Sequence, residues 1–360
     1  MNHEIEKMAS FLEITPRKID ELLDRFDQIL SLFKNVEYKK RSNLYLIGNG
    51  SSGEGARIAS FLALDLFGKV PYCITPYQFT HYSYVALTDK DIVIAISQTG
   101  TSHEVVESLR LAKKAGATTI AITTIAHAPV AEVADIPVVL PECKENVDYK
   151  VVGVLGQLYG LWMVILGIGL ANEFINQKQA ESFLLEFRDL NKLYKGIADA
   201  AQQWTINNID FLEQFSKLTV LGSGPLTETA MELAIKSIEV QNRFSMAVDT
   251  EEYLHGICAA DPTGNLVIML ADVDTAAYSK KVYHSIKEFG QPVVYFGHDA
   301  PEGQLSVKLL DSKYFSTALF FPLVHGFIVA WAKAKDYGAD GAKVFEFYQN
   351  KLKVREDMKK

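Results

Sequence analysis

Residues 91–102 read Asp91-Ile92-Val93-Ile94-Ala95-Ile96-Ser97-Gln98-Thr99-Gly100-Thr101-Ser102. The run from Ile92 to Ile96 is wholly apolar and has no alternation, which is the pattern of a strand buried on both faces of a parallel sheet. Five of the six residues from Ser97 to Ser102 carry a hydroxyl or amide side chain, and a helical pattern opens near His103. A buried strand, a polar loop and then a helix is the repeating unit of α/β folds, in which ligands bind at the carboxyl ends of the strands.

The unit recurs along the chain. Asn43-Leu-Tyr-Leu-Ile-Gly-Asn-Gly50 and Lys217-Leu-Thr-Val-Leu-Gly-Ser-Gly224 are both apolar strands entering a glycine turn, with Gly48 and Gly222 174 residues apart (222 − 48). Asp91–Ser97 pairs with Asn265–Ala271 at the same offset (265 − 91), and Gly116 pairs with Gly290 (290 − 116). Agreement at three separated landmarks marks an internal repeat. The expected architecture is therefore two doubly wound, flavodoxin-like parallel-sheet domains in tandem. The boundaries expected are a helical lead-in at 1–40, a first domain at 41–172, a helical linker at 173–212, a second domain at 213–335 and a tail at 336–360. Thr15-Pro16 suits a helix start, with proline in the first turn. Asp340 to Lys360 reads as a charged helix or tail.

Composition narrows the function classes. The chain has 360 residues, 48% hydrophobic and 22% charged, with a net charge of −8, so a general nucleic-acid grip built on clustered Lys and Arg is not expected. Cys73, Cys143 and Cys258 are odd in number and far apart, which suits a reducing cytoplasm and argues against a disulfide framework or a zinc knuckle. The segment Met1–Lys7 is charged and lacks a signal-peptide core. Val151–Ala171 has no charged residue and the length of a membrane span, but glycines and Gln157 interrupt it. A buried core helix is expected there, and no second such segment.

Two loops carry the chemistry. Gly48-Asn49-Gly50-Ser51-Ser52-Gly53 has the G-x-G-x-x-G spacing, but the following strand ends at Cys73-Ile74-Thr75-Pro76 without the acid that a dinucleotide ribose requires. Ser97–Ser102 supplies neutral hydroxyl donors at a helix start, which suits a phosphate monoester. Capping alone needs one hydroxyl. At the 174 offset the second half carries Ala271-Asp272-Val273-Asp274-Thr275, whose carboxylates repel phosphate. The phosphate is thus expected in the first half, on Gly50, Ser51, Ser52, Ser97, Gln98, Thr99, Gly100 and Ser102. No cofactor or metal is expected.

The pair of loops, G-x-G-S-S followed by S-Q-[ST]-G-x-[ST], resembles the sugar isomerase (SIS) domain family. The doubled arrangement over roughly residues 40–335 resembles the isomerase half of glucosamine-6-phosphate synthases and the fructosamine-6-phosphate deglycases. The resemblance implies a catalytic glutamate on the helix Met231–Glu239 and a catalytic histidine in Glu251–Gly256, which places these roles on Glu239 and His255, 16 residues apart (255 − 239). Lys236, one turn before Glu239 on the same helix face, also matches a family position, and Lys150 is similar to a lysine near the family's substrate rim. The chemistry suits these types. A carboxylate of raised pKa can carry a proton between C1 and C2 of a phosphosugar, and a histidine can open the ring. The resemblance further implies a homodimer or larger assembly in which His255 reaches the neighbouring subunit's site.

The tail from Asp340 to Lys353 does not match the D-x-P-R-x-L-x-K segment of the synthases, and the chain from Met1 leaves no room for their glutaminase domain. Amine-releasing or deglycating chemistry on an amino-sugar phosphate or fructosamine 6-phosphate is therefore expected over amine addition. A plain aldose–ketose phosphosugar isomerase and a non-catalytic phosphosugar sensor are the alternatives. Glu252 beside His255, and His81 in the aromatic loop of Tyr77, Phe79, Tyr82 and Tyr84, are lesser candidates for substrate contact. That aromatic run is expected in a core or dimer contact, and His325 as a satisfied core histidine.

Overall fold

The computed structural model describes residues 3–38, 42–141, 145–147, 149–337, 346, 352 and 354–356. In chain order the elements begin with α1 (His3–Leu23), α2 (Phe26–Ser31), β1 (Leu44–Ile47), α3 (Ser51–Phe67), β2 (Tyr72–Ile74) and the single turn α4 (Pro76–Gln78), which is followed by a π turn and a 3-10 turn to Ala86. Then come β3 (Ile92–Ile96), α5 (His103–Lys114), β4 (Thr118–Thr123), α6 (Pro129–Val133), β5 (Ile136–Val139), α7 (Val152–Ala171), α8 (Gln177–Asn207) and the short α9 (Ile209–Leu212). The second half comprises β6 (Lys217–Gly222), α10 (Pro225–Gln241), β7 (Phe244–Asp249), α11 (Thr250–Leu254), β8 (Asn265–Ala271), α12 (Ala276–Glu288), β9 (Val293–Gly297), β10 (Leu305–Ser306) and α13 (Phe320–Lys335).

The strands form two five-stranded, all-parallel sheets, ordered β2-β1-β3-β4-β5 and β10-β9-β8-β6-β7. Read from the opposite edge, the second is β7-β6-β8-β9-β10, the same order as the first. This is the flavodoxin-like arrangement expected from the repeat. The repeat holds to the residue at the glycine turns: α3 starts at Ser51 and α10 at Pro225, and both N-caps are glycines of positive φ, Gly50 at 53° and Gly224 at 59°. Only glycine enters that region without strain. The repeat slips at the last strand, where β10 is two residues long.

The chain divides into two compact units. One contains Arg17–Glu145, Val152–Arg188 and Ala342–Lys360 and holds the first sheet; the other contains Met1–Pro16, Asn146–Val151 and Asp189–Gly341 and holds the second. The division passes through the 31-residue helix α8, inside the linker expected at 173–212. In the first-sheet unit, α7 packs on α3 and α2, and Leu158, Leu161, Trp162, Met163 and Ile165 have no exposed surface. In the second-sheet unit α13 plays the equivalent part against α10, with Leu323, Val324, Phe327 and Trp331 fully buried.

Two sequence expectations are corrected. Thr15-Pro16 does not start a helix, because Pro16 lies inside α1. Ile5, Met8, Leu12, Thr15, Ile19 and Leu22 form one buried stripe at three- and four-residue spacing across the proline. A mid-helix proline costs about 3 kcal/mol, whereas each buried aliphatic side chain contributes about 1.5–3 kcal/mol, so the stripe prevails. The Thr15 hydroxyl turns back onto the Phe11 carbonyl (2.7 Å), and Asn191 Nδ2 donates to the Pro16 carbonyl (2.8 Å). The second correction concerns apolar helices. Ser316–Lys335 is as long as Val152–Ala171 and also apolar enough to cross a membrane, though less apolar, with charge only at Lys333 and Lys335 in its last turn. Both are core helices, 83% and 89% of their apolar windows being buried. Most of the tail expected from Asp340, and Cys143, lie outside the described residues.

Candidate active site

In the first-sheet unit, β1 and β3 are parallel neighbours, with Ile47 opposite Ala95. The chain leaves β1 toward β2 on one side, and β3 lies on the other. Their carboxyl ends flank the point where strand order reverses, the usual ligand crevice of such sheets. Gly50, Ser51 and Ser52 follow β1, and Ser97–Ser102 follows β3.

The second loop is held by its own backbone. The Ser97 amide donates to Ile122 O (3.0 Å), the Gly100 amide to Ser97 O (3.0 Å) and the Val130 amide to Gly100 O (3.1 Å). Gly100 is buried, with φ +68°. The Gln98 carbonyl accepts from the Thr124 amide and from the Thr123 and Thr124 hydroxyls, at 2.9–3.0 Å. The hydroxyls face one another: Ser97 Oγ lies 3.3 Å from Ser102 Oγ, and Thr99 Oγ1 lies 3.0 Å from Thr101 Oγ1. Ser102 is the N-cap of α5 by position, yet its hydroxyl makes no capping bond. That leaves helix capping as an insufficient account of the loop's composition.

Side chains that the sequence did not single out shape this loop. Glu145, buried, accepts the amides of Val152 and Gly153 (both 2.8 Å) at the start of α7 and also the Gln98 side-chain amide (3.0 Å). A Cβ on Gly153 would overlap the Gln98 amide. Gln98, expected to face substrate, is thus anchored by Glu145. Ser52 Oγ donates to Gln157 Oε1 (2.6 Å), so the glutamine that interrupts the apolar α7 has a partner on the glycine loop. The chain's end also meets the loop. Val354 O accepts the His103 amide (3.0 Å), the Glu356 amide donates to Thr101 O (2.6 Å), and Ser102 bridges Arg355 in antiparallel fashion. One of the helix-start amides expected for an anion is therefore engaged by the chain itself.

The second-sheet unit holds the expected acid–base residues. Lys236 and Glu239 are one turn apart on α10, with Lys236 Nζ 2.7 Å from Glu239 Oε2 and 3.7 Å from Glu232 Oε1. Lys236 and Glu232 are buried, and the Glu239 side chain is 30% exposed. Burial holds the Glu239 carboxyl above the usual carboxylate range, against the pull of Lys236 and with some help from the negative charge of Glu232. Lys150 belongs to this unit, through Asn146–Val151; its Nζ donates to Val147 O (2.5 Å). The ring of the adjacent Tyr149 has its centroid 6.0 Å from Lys236 Nζ.

His255 closes α11, whose N-cap Asp249 accepts the amides of Glu251 and Glu252. Its ring is exposed, and Nδ1 lies 2.8 Å from Glu251 O. Glu252 is exposed beside it. His325 is fully buried, with Nε2 3.0 Å from Glu232 Oε1, the satisfied core histidine expected. In the first-sheet unit His81 is exposed and stacks on Tyr77 (3.9 Å between centroids). Within the aromatic run only Phe79 is a core residue. The second half's counterpart of the hydroxyl loop is a carboxylate site: Asp272 accepts from the Val273 amide (2.7 Å) and the Ser316 hydroxyl, and burial raises its pKa.

Comparison with known proteins gives the following. Residues 37–159 match the SIS domain family. A glutamine–fructose-6-phosphate aminotransferase (isomerizing) of Caldanaerobacter subterraneus subsp. tengcongensis is 22% identical over 279 residues, covering 76% of this chain and 44% of that protein. The chain spans less than half the length of that curated relative. Among solved structures, the C-terminal domain of glucosamine-fructose-6-phosphate aminotransferase from Francisella tularensis superposes with a TM-score of 0.79 at 18% identity, covering 94% of this chain and 98% of that one. Glucosamine-6-phosphate deaminase from Thermotoga maritima superposes with a TM-score of 0.67 at 22% identity, covering 89% and 94%. At these identities the likeness is one of fold.

Proposed function

From a chain that carries a SIS domain over residues 37–159, inside a fold that repeats its strand order once, we propose a phosphosugar-processing enzyme that acts on fructosamine 6-phosphates or amino-sugar phosphates. The single observation that carries the reading is the hydroxyl loop Ser97–Ser102 at the strand-order reversal of the first sheet, with Ser51 and Ser52 on the neighbouring strand's loop. Neutral donors there suit the phosphate, and in the second-sheet unit the raised pKa of Glu239 suits a group that takes a proton and returns it. Lys236 orients that carboxylate, and Lys150 is assigned to the substrate rim.

For a fructosamine 6-phosphate the steps balance as follows. Glu239 removes a proton from C1, the C1–H electron pair forms the C1–C2 double bond, and the C2 carbonyl oxygen takes a proton from water to become an enol hydroxyl. Returning the Glu239 proton to C2 gives a C1 iminium, whose N–H proton goes back to water to leave the imine. Water adds at C1 and the amine leaves, yielding the aldose 6-phosphate. His255 serves ring opening, and its exposure suits action in a neighbouring subunit's site within a homodimer or larger assembly. The odd, scattered cysteines favour a cytoplasmic setting.

The test measures amine release from fructosamine 6-phosphates and glucosamine 6-phosphate, alongside isomerisation of unsubstituted hexose 6-phosphates. Amine release that is lost in Glu239→Gln supports the proposal. Isomerisation without amine release assigns a plain aldose–ketose isomerase instead, and phosphosugar binding without turnover assigns a sensor.

A further inference from the structure

Four titratable side chains form one continuous series inside the second-sheet unit. His325 Nε2 on α13 is 3.0 Å from Glu232 Oε1 on α10; Glu232 Oε1 is 3.7 Å from Lys236 Nζ; and Lys236 Nζ is 2.7 Å from Glu239 Oε2. Side-chain exposure is 1% at His325, 0% at Glu232, 4% at Lys236 and 30% at Glu239. The series therefore begins in the core and ends at the carboxylate proposed to meet substrate. The Phe321 ring packs 6.2 Å from His325, and the Tyr149 ring lies 6.0 Å from Lys236 Nζ.

Lys236 stands between two carboxylates, and only the nearer is the proposed proton carrier. A buried ion left under-satisfied costs several kcal/mol, so a buried glutamate that lacks donors draws in the nearest cation. An ionised carboxylate only accepts hydrogen bonds; the ring nitrogen facing Glu232 therefore carries the hydrogen. That donor offsets part of the demand of Glu232 and leaves the ammonium closer to Glu239, as the 2.7 Å and 3.7 Å separations record.

We propose that His325 is a positioning residue for proton transfer: by donating to Glu232 it keeps Lys236 on Glu239 and so fixes the orientation of the reacting carboxylate. This inference rests on Glu239 being the proton carrier. Among the described residues, Glu232 on their own helix, His325 on α13 and Tyr149 from the segment Asn146–Val151 face Lys236 and Glu239.

The test follows the carboxyl carbon of Glu239 by NMR titration of 13C-glutamate-labelled protein, with Glu239→Gln identifying the resonance; no substrate is needed. In His325→Leu, Glu232 loses the His325 donor and draws Lys236 more strongly, so the Glu239 midpoint rises by about one pH unit. His325→Gln, which keeps an amide donor, holds the wild-type midpoint. With fructosamine 6-phosphate as substrate, His325→Leu lowers kcat about tenfold or more with KM nearly unchanged, and His325→Gln recovers most of it. A Glu239 midpoint that is unchanged or lower in folded His325→Leu overturns the proposal. Should His325→Leu not fold, Glu232→Gln reads the same coupling: a neutral amide no longer competes for Lys236, and the Glu239 midpoint falls by about one unit. No change in Glu232→Gln overturns it equally. Failure of the enzymatic reading leaves a different signature, since wild-type protein would then turn over none of the phosphosugars while the midpoints still respond.

Discussion

Glu239 illustrates how environment gives a common residue an uncommon property. Desolvation pushes its carboxyl up while Lys236, 2.7 Å away, pulls it down, and desolvation wins. A base must be ionised to accept a proton, so kcat/KM falls on the acid side as Glu239 is protonated. The acid limb of the pH–rate profile is expected to have its midpoint above the ordinary glutamate value of 4.5. A midpoint at or below that value removes Glu239 from the role. Glu239→Gln should lower kcat by about 10²- to 10⁴-fold, the range for loss of one acid–base group, while inorganic phosphate still binds. Asp272 is the instructive contrast. It occupies the position equivalent to Gln98, 174 residues on, and its buried carboxyl is held by Ser316 and the Val273 amide. Four of the five aligned positions from 97 to 101 differ in the second half, and the two carboxylates Asp272 and Asp274 are what make its loop unsuited to phosphate.

At the scale of elements, the first turn of α7 and the hydroxyl loop act on each other through Glu145. The same carboxylate accepts the two leading amides of the helix and the Gln98 side chain, and Gly153 leaves room for that side chain. Gly153→Ala is therefore expected to displace Gln98 and weaken inorganic phosphate binding by about tenfold, while costing little helix stability, because alanine is the better helix former. Equal affinity in the variant, measured by calorimetry, would show that Gln98 has no part in anion binding. α1 teaches a related lesson: a proline that suits a helix start sits mid-helix because an apolar stripe continues through it.

At the scale of the whole chain, each sheet packs against one largely apolar, buried helix, α7 in the first-sheet unit and α13 in the second. Leu161 and Leu323 have no exposed surface, so Leu161→Ala and Leu323→Ala should each cost about 2–5 kcal/mol. Chemical denaturation reads that cost directly. Losses below about 1 kcal/mol would contradict a close-packed core at these helices. Phosphate binding itself is expected only in the first-sheet unit. Titration with inorganic phosphate should shift amide resonances at residues 97–102 and leave 271–275 unmoved.

Much of this protein was decided by local sequence. Buried parallel strands are nearly pure Val, Ile, Leu and Ala, glycine alone takes the positive-φ caps at Gly50 and Gly224, and an equal offset carries the pattern from one half to the other. These signals are short-range, so the strand order, the hydroxyl loop and the Lys236–Glu239 turn were readable in one dimension. Other features depend on contacts between residues far apart in the chain, which no local pattern encodes. Glu145 meets Gln98 across 47 residues, Ser52 meets Gln157 across 105, and Glu232 meets His325 across 93. Ser316–Lys335 reads as a span-like helix, and only its burial marks it as core. Sequence alone thus marked which groups are proposed to carry the chemistry. Tertiary packing decided which of them are anchored, desolvated and charged, because those properties belong to the neighbours that folding supplies.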